Sequence, residues 1–213
     1  MKVCEMDCSR RSFLKASGKV AAGAALLSMA NPVLAALGEG GAETPAYPFP
    51  YAKLDPEAVE KRGYDGYYQH GGCAGGVADA LIGQLADTVG YPFNQIPVGL
   101  FANGAAGYGA ATLCGSLGGA VAAIGLVCEA ADSRAIVAEL FAWYRTAEFP
   151  LYTPNTPSET TVANSVNCLE SVGNYMAKTG YAMADDGRKE RCAGVTADVA
   201  KKTAELLNAH FGL

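Results

Sequence analysis

The sequence predicts an all-α fold, a single compact helical bundle around a central Gly/Ala-rich helix, on three observations. Beyond residue 70, apolar side chains recur at the i, i+3, i+4 spacing of one buried helix face. No segment sustains the period-2 alternation of a half-buried strand. Hydrophobic residues make up 50% of the 213 and charged residues 17%, enough apolar surface for one core. The 26 glycines follow no G-X-Y period, which excludes a collagen-like fibre, and a formal charge of -5 argues against a nucleic-acid partner.

The amino end reads as an address. Ser9-Arg10-Arg11-Ser12-Phe13-Leu14-Lys15 precedes an apolar, alanine-rich run from Ala16 to Ala30, and small residues follow at Val33-Leu34-Ala35-Ala36. Paired arginines, Phe-Leu-Lys, a mild apolar core and an A-x-A-like cleavage site resemble a twin-arginine export signal over residues 1–36. That route predicts a periplasmic protein, folded before export. Removing the segment takes away five of 16 basic and two of 21 acidic residues, which leaves a net charge of -8. It also takes Cys4 and Cys8, and the odd number of cysteines left disfavours a framework made only of disulfides.

Residues 37–66, rich in Gly, Pro and Tyr, read as a linker or packed loop leading into a helical domain over 67–213. From Ala74 to Val89, Val77, Leu81 and Leu85 share one face, and Gly90 ends the helix. Ala111 to Glu129 forms the central helix, where Ala111, Gly115, Gly119 and Ala123 make a small-residue ridge that lets another helix approach closely. Ser133 caps a third helix to about Arg145, with Ile136, Leu140 and Trp143 inward. Thr156-Pro157-Ser158-Glu159 carries a cap, a proline at the first position and a glutamate three residues on. It predicts a helix running to Thr179 and stopped by Gly180. The last helix spans about Lys189 to His210, with Cys192, Val195, Val199, Leu206 and His210 on one stripe. Residues 88–128 hold no charge in 41 positions, long enough for a membrane span. Six glycines with Asn103, Tyr108, Thr112 and Ser116 between 103 and 119 favour a buried central helix instead.

Seven cysteines against two histidines make sulfur the chemistry to follow. Cys114 and Cys128 lie on one predicted helix, roughly 21 Å apart at 1.5 Å per residue, so one small site cannot hold both. Cys128 ends an apolar run and reads as core, leaving Cys73, Cys114, Cys168 and Cys192. Cys73 follows Gly71-Gly72 in the first turn of its helix, where free amides and the dipole favour a thiolate. Cys192 opens the last helix beside Arg188, Lys189 and Arg191, and Cys168 sits mid-helix at the edge of an apolar face. Four thiolates suit an iron–sulfur cluster or structural zinc. Without a C-x-x-C pair, spacing leaves three readings open: a metal site, two disulfides, or buried thiols.

His70, three residues before Cys73, is a candidate cofactor-binding residue, as ligand or as donor to one, set against a plain loop histidine. His210 reads as the end of a core stripe, Asp79 and Asp87 as solvated, and Tyr64, Tyr67 and Tyr68 as packing over the cysteine helix. Close helix packing explains Gly104, Gly107 and Gly109 more simply than a ligand cradle does. No nucleophile elbow, phosphate loop, zincin helix or carboxylate pair appears.

Gly72-Cys73-Ala74, the block Cys114-Gly115-Ser116-Leu117-Gly118-Gly119, then Cys168 and Cys192 resemble the C_GCAxxG_C_C family of redox-active proteins. Ser116 replaces that family's alanine, and Glu190-Arg191-Cys192 leading into Thr196-Ala197-Asp198-Val199-Ala200 is also typical of it. The resemblance covers residues 70–211. An exported chain of this size is similar to the split-Soret cytochromes c of the same family, dimers with c-type haems on C-x-x-C-H motifs and an iron–sulfur centre. This chain has no C-x-x-C-H. The nearest echo, Ser165-Val166-Asn167-Cys168-Leu169, has serine for the first thiol and leucine for the axial histidine. The resemblance therefore implies an iron–sulfur cluster, 2Fe-2S, on Cys73, Cys114, Cys168 and Cys192, without covalent haem, in a homodimer that meets a redox partner protein. The alternatives are a metal-free thiol–disulfide protein and a helical structural or binding module with buried cysteines.

Overall fold

The computed structural model describes residues 45–155 and 159–213. The export-signal reading over 1–36, the stretch to residue 44 and Thr156-Pro157-Ser158 lie outside the described residues. Helices carry the fold, as the all-α reading expects, with one small two-stranded ribbon.

Helix α1 spans Pro56–Gln69, where the sequence suggests a packed loop up to residue 66. Asp55 caps it by accepting from the Glu57 amide at 3.0 Å, and Pro56 fills the first turn. Its buried face, Val59, Glu60, Gly63, Tyr64 and Gly66, is poor in aliphatic residues, so apolar periodicity does not reveal it. The glycines there serve close approach: a Cβ on Gly66 would lie 3.1 Å from the Gly76 Cα.

Helix α2 (Cys73–Ala78), a π turn (Asp79–Gly83) and α3 (Gln84–Thr88) run end to end, with Val77, Leu81 and Leu85 buried. Two 3-10 turns, Phe93–Gln95 and Val98–Gly104, lead into a strained bend. Ala106, Gly107, Tyr108 and Gly109 are all left-handed (φ 53, 61, 60 and 70), as is Ala111 (φ 56). The central helix α4 therefore begins only at Gly115 and runs to Val127, with Cys114 and Cys128 as its two caps. The small-residue ridge faces α2, where a Cβ on Gly119 would lie 2.6 Å from the Ala74 carbonyl oxygen.

Helix α5 spans Ala130–Thr146, with Glu129 at its N-cap in place of Ser133. Ile136, Leu140 and Tyr144 are buried, while Trp143 is half-buried against Phe149. Strand β1 (Glu148–Phe149) pairs antiparallel with β2 (Thr161–Val162), Glu148 opposite Val162. The helix expected from Thr156 thus starts at Cys168: α6 spans Cys168–Thr179 and ends at left-handed Gly180, as expected. The β-branched run Thr160-Thr161-Val162 favours the ribbon, and pairing with β1 overrides the local cap signature.

Helix α7 (Asp186–Phe211) lies chiefly along α1 and also meets α2, α4, α5 and α6. Its stripe is buried at Val195, Val199 and Leu206, but His210 is exposed beside Phe211, 4.0 Å from Asp132. The last turn of the helix faces solvent on that side, which the periodicity does not show. Among the described residues no helix is long and apolar enough to cross a membrane.

Candidate metal centre

Three helices start at one place. Cys73 is the first residue of α2, Cys114 is the N-cap of α4, and Cys168 is the first residue of α6. All three line one half-open cavity of about 340 Å³, and Cys192, in the second turn of α7, lines it too. The four predicted ligands are thus brought together, from four helices. Cys168 is a helix start and Cys192 lies inside its helix, the reverse of what the sequence suggests, because α6 begins later and α7 earlier than expected.

The backbone fixes this meeting. An isolated antiparallel bridge sets Leu113 opposite Asn167. Around it the Cys114 amide donates to the Val166 carbonyl at 2.9 Å, and the Cys168 amide donates to the Thr112 carbonyl at 2.6 Å. Gly115 is the space that admits Cys73: a Cβ there would lie 2.5 Å from the Cys73 Sγ. Gly107 does the same for Cys168, whose Cβ would be 2.9 Å from an added methyl. Ala105 and Ala106, entering the left-handed bend, line the cavity wall.

The five described cysteines are free thiols, and no three His, Cys, Asp or Glu groups among the described residues converge tightly enough for a single ion. The sulfurs surround a space. Burial pushes the Cys73 thiol well up, and Cys114, Cys192 and Cys168 push it the same way. The thiolate expected at Cys73 is therefore disfavoured here, because burial and three neighbouring sulfurs outweigh the helix dipole. Burial, then Cys114 and Cys192, lift Cys168 to about 11 against the opposing pull of Arg191 and Arg188.

A buried polar chain backs the sulfurs. Arg191 is 1% exposed, lines the cavity and donates from Nη2 to Ser171 Oγ at 2.9 Å. Ser171 Oγ and Tyr144 Oη share a 2.8 Å hydrogen bond. Burial, then the neighbouring Cys114, raises the Tyr144 hydroxyl well above its ordinary range. On the rim, Arg188 donates to the Met183 carbonyl at 2.7 Å and to Tyr67 Oη at 3.4 Å. Tyr67 and Tyr68 line the cavity as well, while Tyr64 and Tyr68 both donate to Glu190. Sequence reasoning notes Arg191 only as a charge beside Cys192. Its place one turn before Val195 on the buried stripe is the signal that marks it, and Tyr144, one turn after Leu140, carries the same signal.

Two candidates lie elsewhere. His70 points to Asp79, 3.6 Å away, in a separate polar cleft with Arg62 and Asp87, and is not among the residues lining the cysteine cavity. Asp79 and Asp87 are not simply solvated, since both hold Arg62. Cys128 is 1% exposed at the other end of α4, a core residue as expected.

A family model described as "Putative redox-active protein (C_GCAxxG_C_C)" matches residues 76–206, which include Cys114, Cys168 and Cys192 and begin just after Cys73. Split-Soret cytochrome c of Desulfovibrio desulfuricans (strain ATCC 27774 / DSM 6949 / MB) is 30% identical over 225 residues, 95% of this chain and 78% of that protein. A solved structure, reporting a novel iron centre in split-Soret cytochrome c from Desulfovibrio desulfuricans ATCC 27774, matches with a TM-score of 0.74. It is 30% identical and covers 77% of this chain and 72% of that one. With the family's cysteines gathered in one cavity of a matching fold, the chain belongs to the C_GCAxxG_C_C family of redox-active proteins and is related to split-Soret cytochrome c.

Proposed function

We propose that this protein is an exported electron carrier that holds an iron–sulfur cluster, of the 2Fe-2S kind, on Cys73, Cys114, Cys168 and Cys192. The observation that carries this reading is the gathering of four free thiols from four helices around one cavity of about 340 Å³. The donor set fits the group, since clusters are held by four cysteine thiolates. The iron centre reported for the related cytochrome supports iron, and the twin-arginine pattern before residue 36 supports a periplasmic location.

Bound there, the cluster supplies one-electron chemistry. The chain's own residues make the place for it. The thiols of Cys73 and Cys168, held protonated by burial, give up protons when metal binds. The starts of α2, α4 and α6 set positive dipole ends beside three of the sulfurs. Tyr67, Arg188 and Ala106 of the left-handed bend line the cavity, with Arg188 donating to Tyr67.

The test is iron, zinc and acid-labile sulfide per chain, with a visible spectrum, on anaerobically purified protein. Iron matching sulfide is expected, with broad absorption that bleaches on reduction and disappears in Cys192→Ser. Zinc alone, an unchanged Cys192→Ser spectrum, or no metal with reversible pairing of the thiols would each overturn the reading.

A further inference from the structure

Arg191 is a buried cation that pairs with no carboxylate among the described residues; the Asp198 carboxyl, further along α7, feels its charge without bonding to it. Its side chain is 1% exposed, and its hydrogen bond to Ser171 and its place 5.7 Å from the Tyr175 ring centre involve neutral groups. Its Nε is buried with no hydrogen-bond partner. Among the described residues it forms no ion pair, although α7 offers carboxylates at Glu190 and Asp198. Glu190 accepts from Tyr64 and Tyr68. Asp198 spends its two oxygens on the amides of Leu151 and Tyr152, at 2.8 and 2.9 Å.

A buried charge left in this state is costly, and a well-packed apolar residue of similar size ordinarily serves stability better. What Arg191 does face is sulfur. It lines the cavity with all four cysteines, is adjacent in sequence to Cys192, and reaches Cys114 through Ser171 and Tyr144. As thiols these groups are neutral. As metal-bound thiolates around an iron–sulfide core they carry net negative charge.

We propose that Arg191 is the buried counter-cation of the iron–thiolate group: its charge gains a close partner only in the loaded protein, and it raises the reduction potential of that group. The proposal rests on the reading that iron binds at the four cysteines. Reduction brings one electron into the cavity from the donor, dithionite in the test below. A fixed positive charge at close range favours the more negative, reduced state in a medium of low dielectric.

The experiment compares wild type, Arg191→Gln, Arg191→Lys and Arg62→Gln as full chains with equal iron per chain. Each is titrated with dithionite through redox mediators and melted with and without iron. Arg191→Gln lowers the equilibrium constant for reduction about tenfold, 59 mV for a one-electron couple. Arg191→Lys keeps most of the wild-type value, and Arg62→Gln, the same charge change at a paired site, leaves it unmoved. The rise in Tm on iron loading shrinks in Arg191→Gln, because the iron-free form no longer holds an unpaired cation. That difference is unaffected by a general loss of packing. A potential in Arg191→Gln equal to wild type, or an equal shift in Arg62→Gln, overturns the proposal. If Arg191→Gln does not fold, Arg191→Met, an apolar side chain of similar length, decides: a potential and a loading Tm rise equal to wild type overturn it, and a fall in both supports it. Wild type without iron would instead overturn the underlying reading, so the two failures are told apart.

Discussion

Two arginines sit in opposite circumstances in this molecule. Arg62, with 30% of its side chain exposed, donates to both oxygens of Asp79 at 2.8 Å and to Asp87 at 2.5 Å, and His70 adds a contact to Asp79. Its charge is more than matched by carboxylates. It acts as a clamp that ties α1 to the π turn and to α3. Arg191 is buried, meets only neutral groups and leaves Nε unbonded. The contrast teaches where this fold carries frustration. Charge is paired internally where the job is to hold helices together, and left without a close partner beside the four cysteines, where the proposed iron group would supply the missing sign.

The strongest way to break the comparison is to crowd the cavity without replacing a charged residue or a cysteine. Gly115→Ala sets a methyl 2.5 Å from the Cys73 Sγ. It should abolish iron binding and cost on the order of 3 kcal/mol of stability, as overpacking does, read by iron per chain and by urea unfolding. Gly125→Ala on the same helix meets nothing within 4 Å. It should keep the iron and gain roughly 0.5–1 kcal/mol. Equal behaviour of the two would mean that the cavity has no occupant to lose.

The second test sharpens the comparison through Asp198, the buried acid of α7. Burial, with some help from Glu60, lifts its pKa to about 7, although the amides of Leu151 and Tyr152 and the charge of Arg191 pull the other way. Its folded pKa lies above its unfolded one, so between about pH 4 and pH 7 the folded state binds more protons. The contribution of Asp198 to stability is therefore fully present below about pH 4 and falls as pH rises to about 7, by at most about 1.4 kcal/mol per unit. Asp198→Asn cannot ionise, so its urea midpoint should gain on wild type as pH climbs through that window. A difference constant with pH would show that Asp198 titrates normally.

The smallest effect belongs to the paired arginine. Asp79→Asn weakens the clamp but leaves Asp87, and should cost about 1 kcal/mol, less at high salt. The iron content and the reduction potential should not move. A shifted potential would mean that the polar cleft and the cysteine cavity are coupled, and would undo the contrast between the two arginines.

Much of this was legible in the chain. The helix containing Val77, Leu81 and Leu85, the stop at Gly180 and the long last helix follow from period and caps, because each is a local property. Cys114 and Cys128 cap opposite ends of α4, apart as helix rise requires of residues 14 positions apart. Helix α1 was hidden because glycine and tyrosine, in place of aliphatic residues, make its buried face. The false helix start at Thr156 was a local signature that lost to a pairing with residues 148 and 149, which no window around it contains.

By itself the sequence determined the composition of the site: four cysteines, the glycine after Cys114, and an all-helical frame to carry them. Residue type and helical period are enough for that. Only the tertiary structure decided how they meet. The Leu113–Asn167 bridge sets two helix starts side by side, Gly115 opens room for the Cys73 sulfur, and Arg191 turns inward from the charged run beside Cys192. Each of these depends on contact between segments far apart in the chain, and the balance between burying a charge and pairing it is struck only when those segments close around the same space.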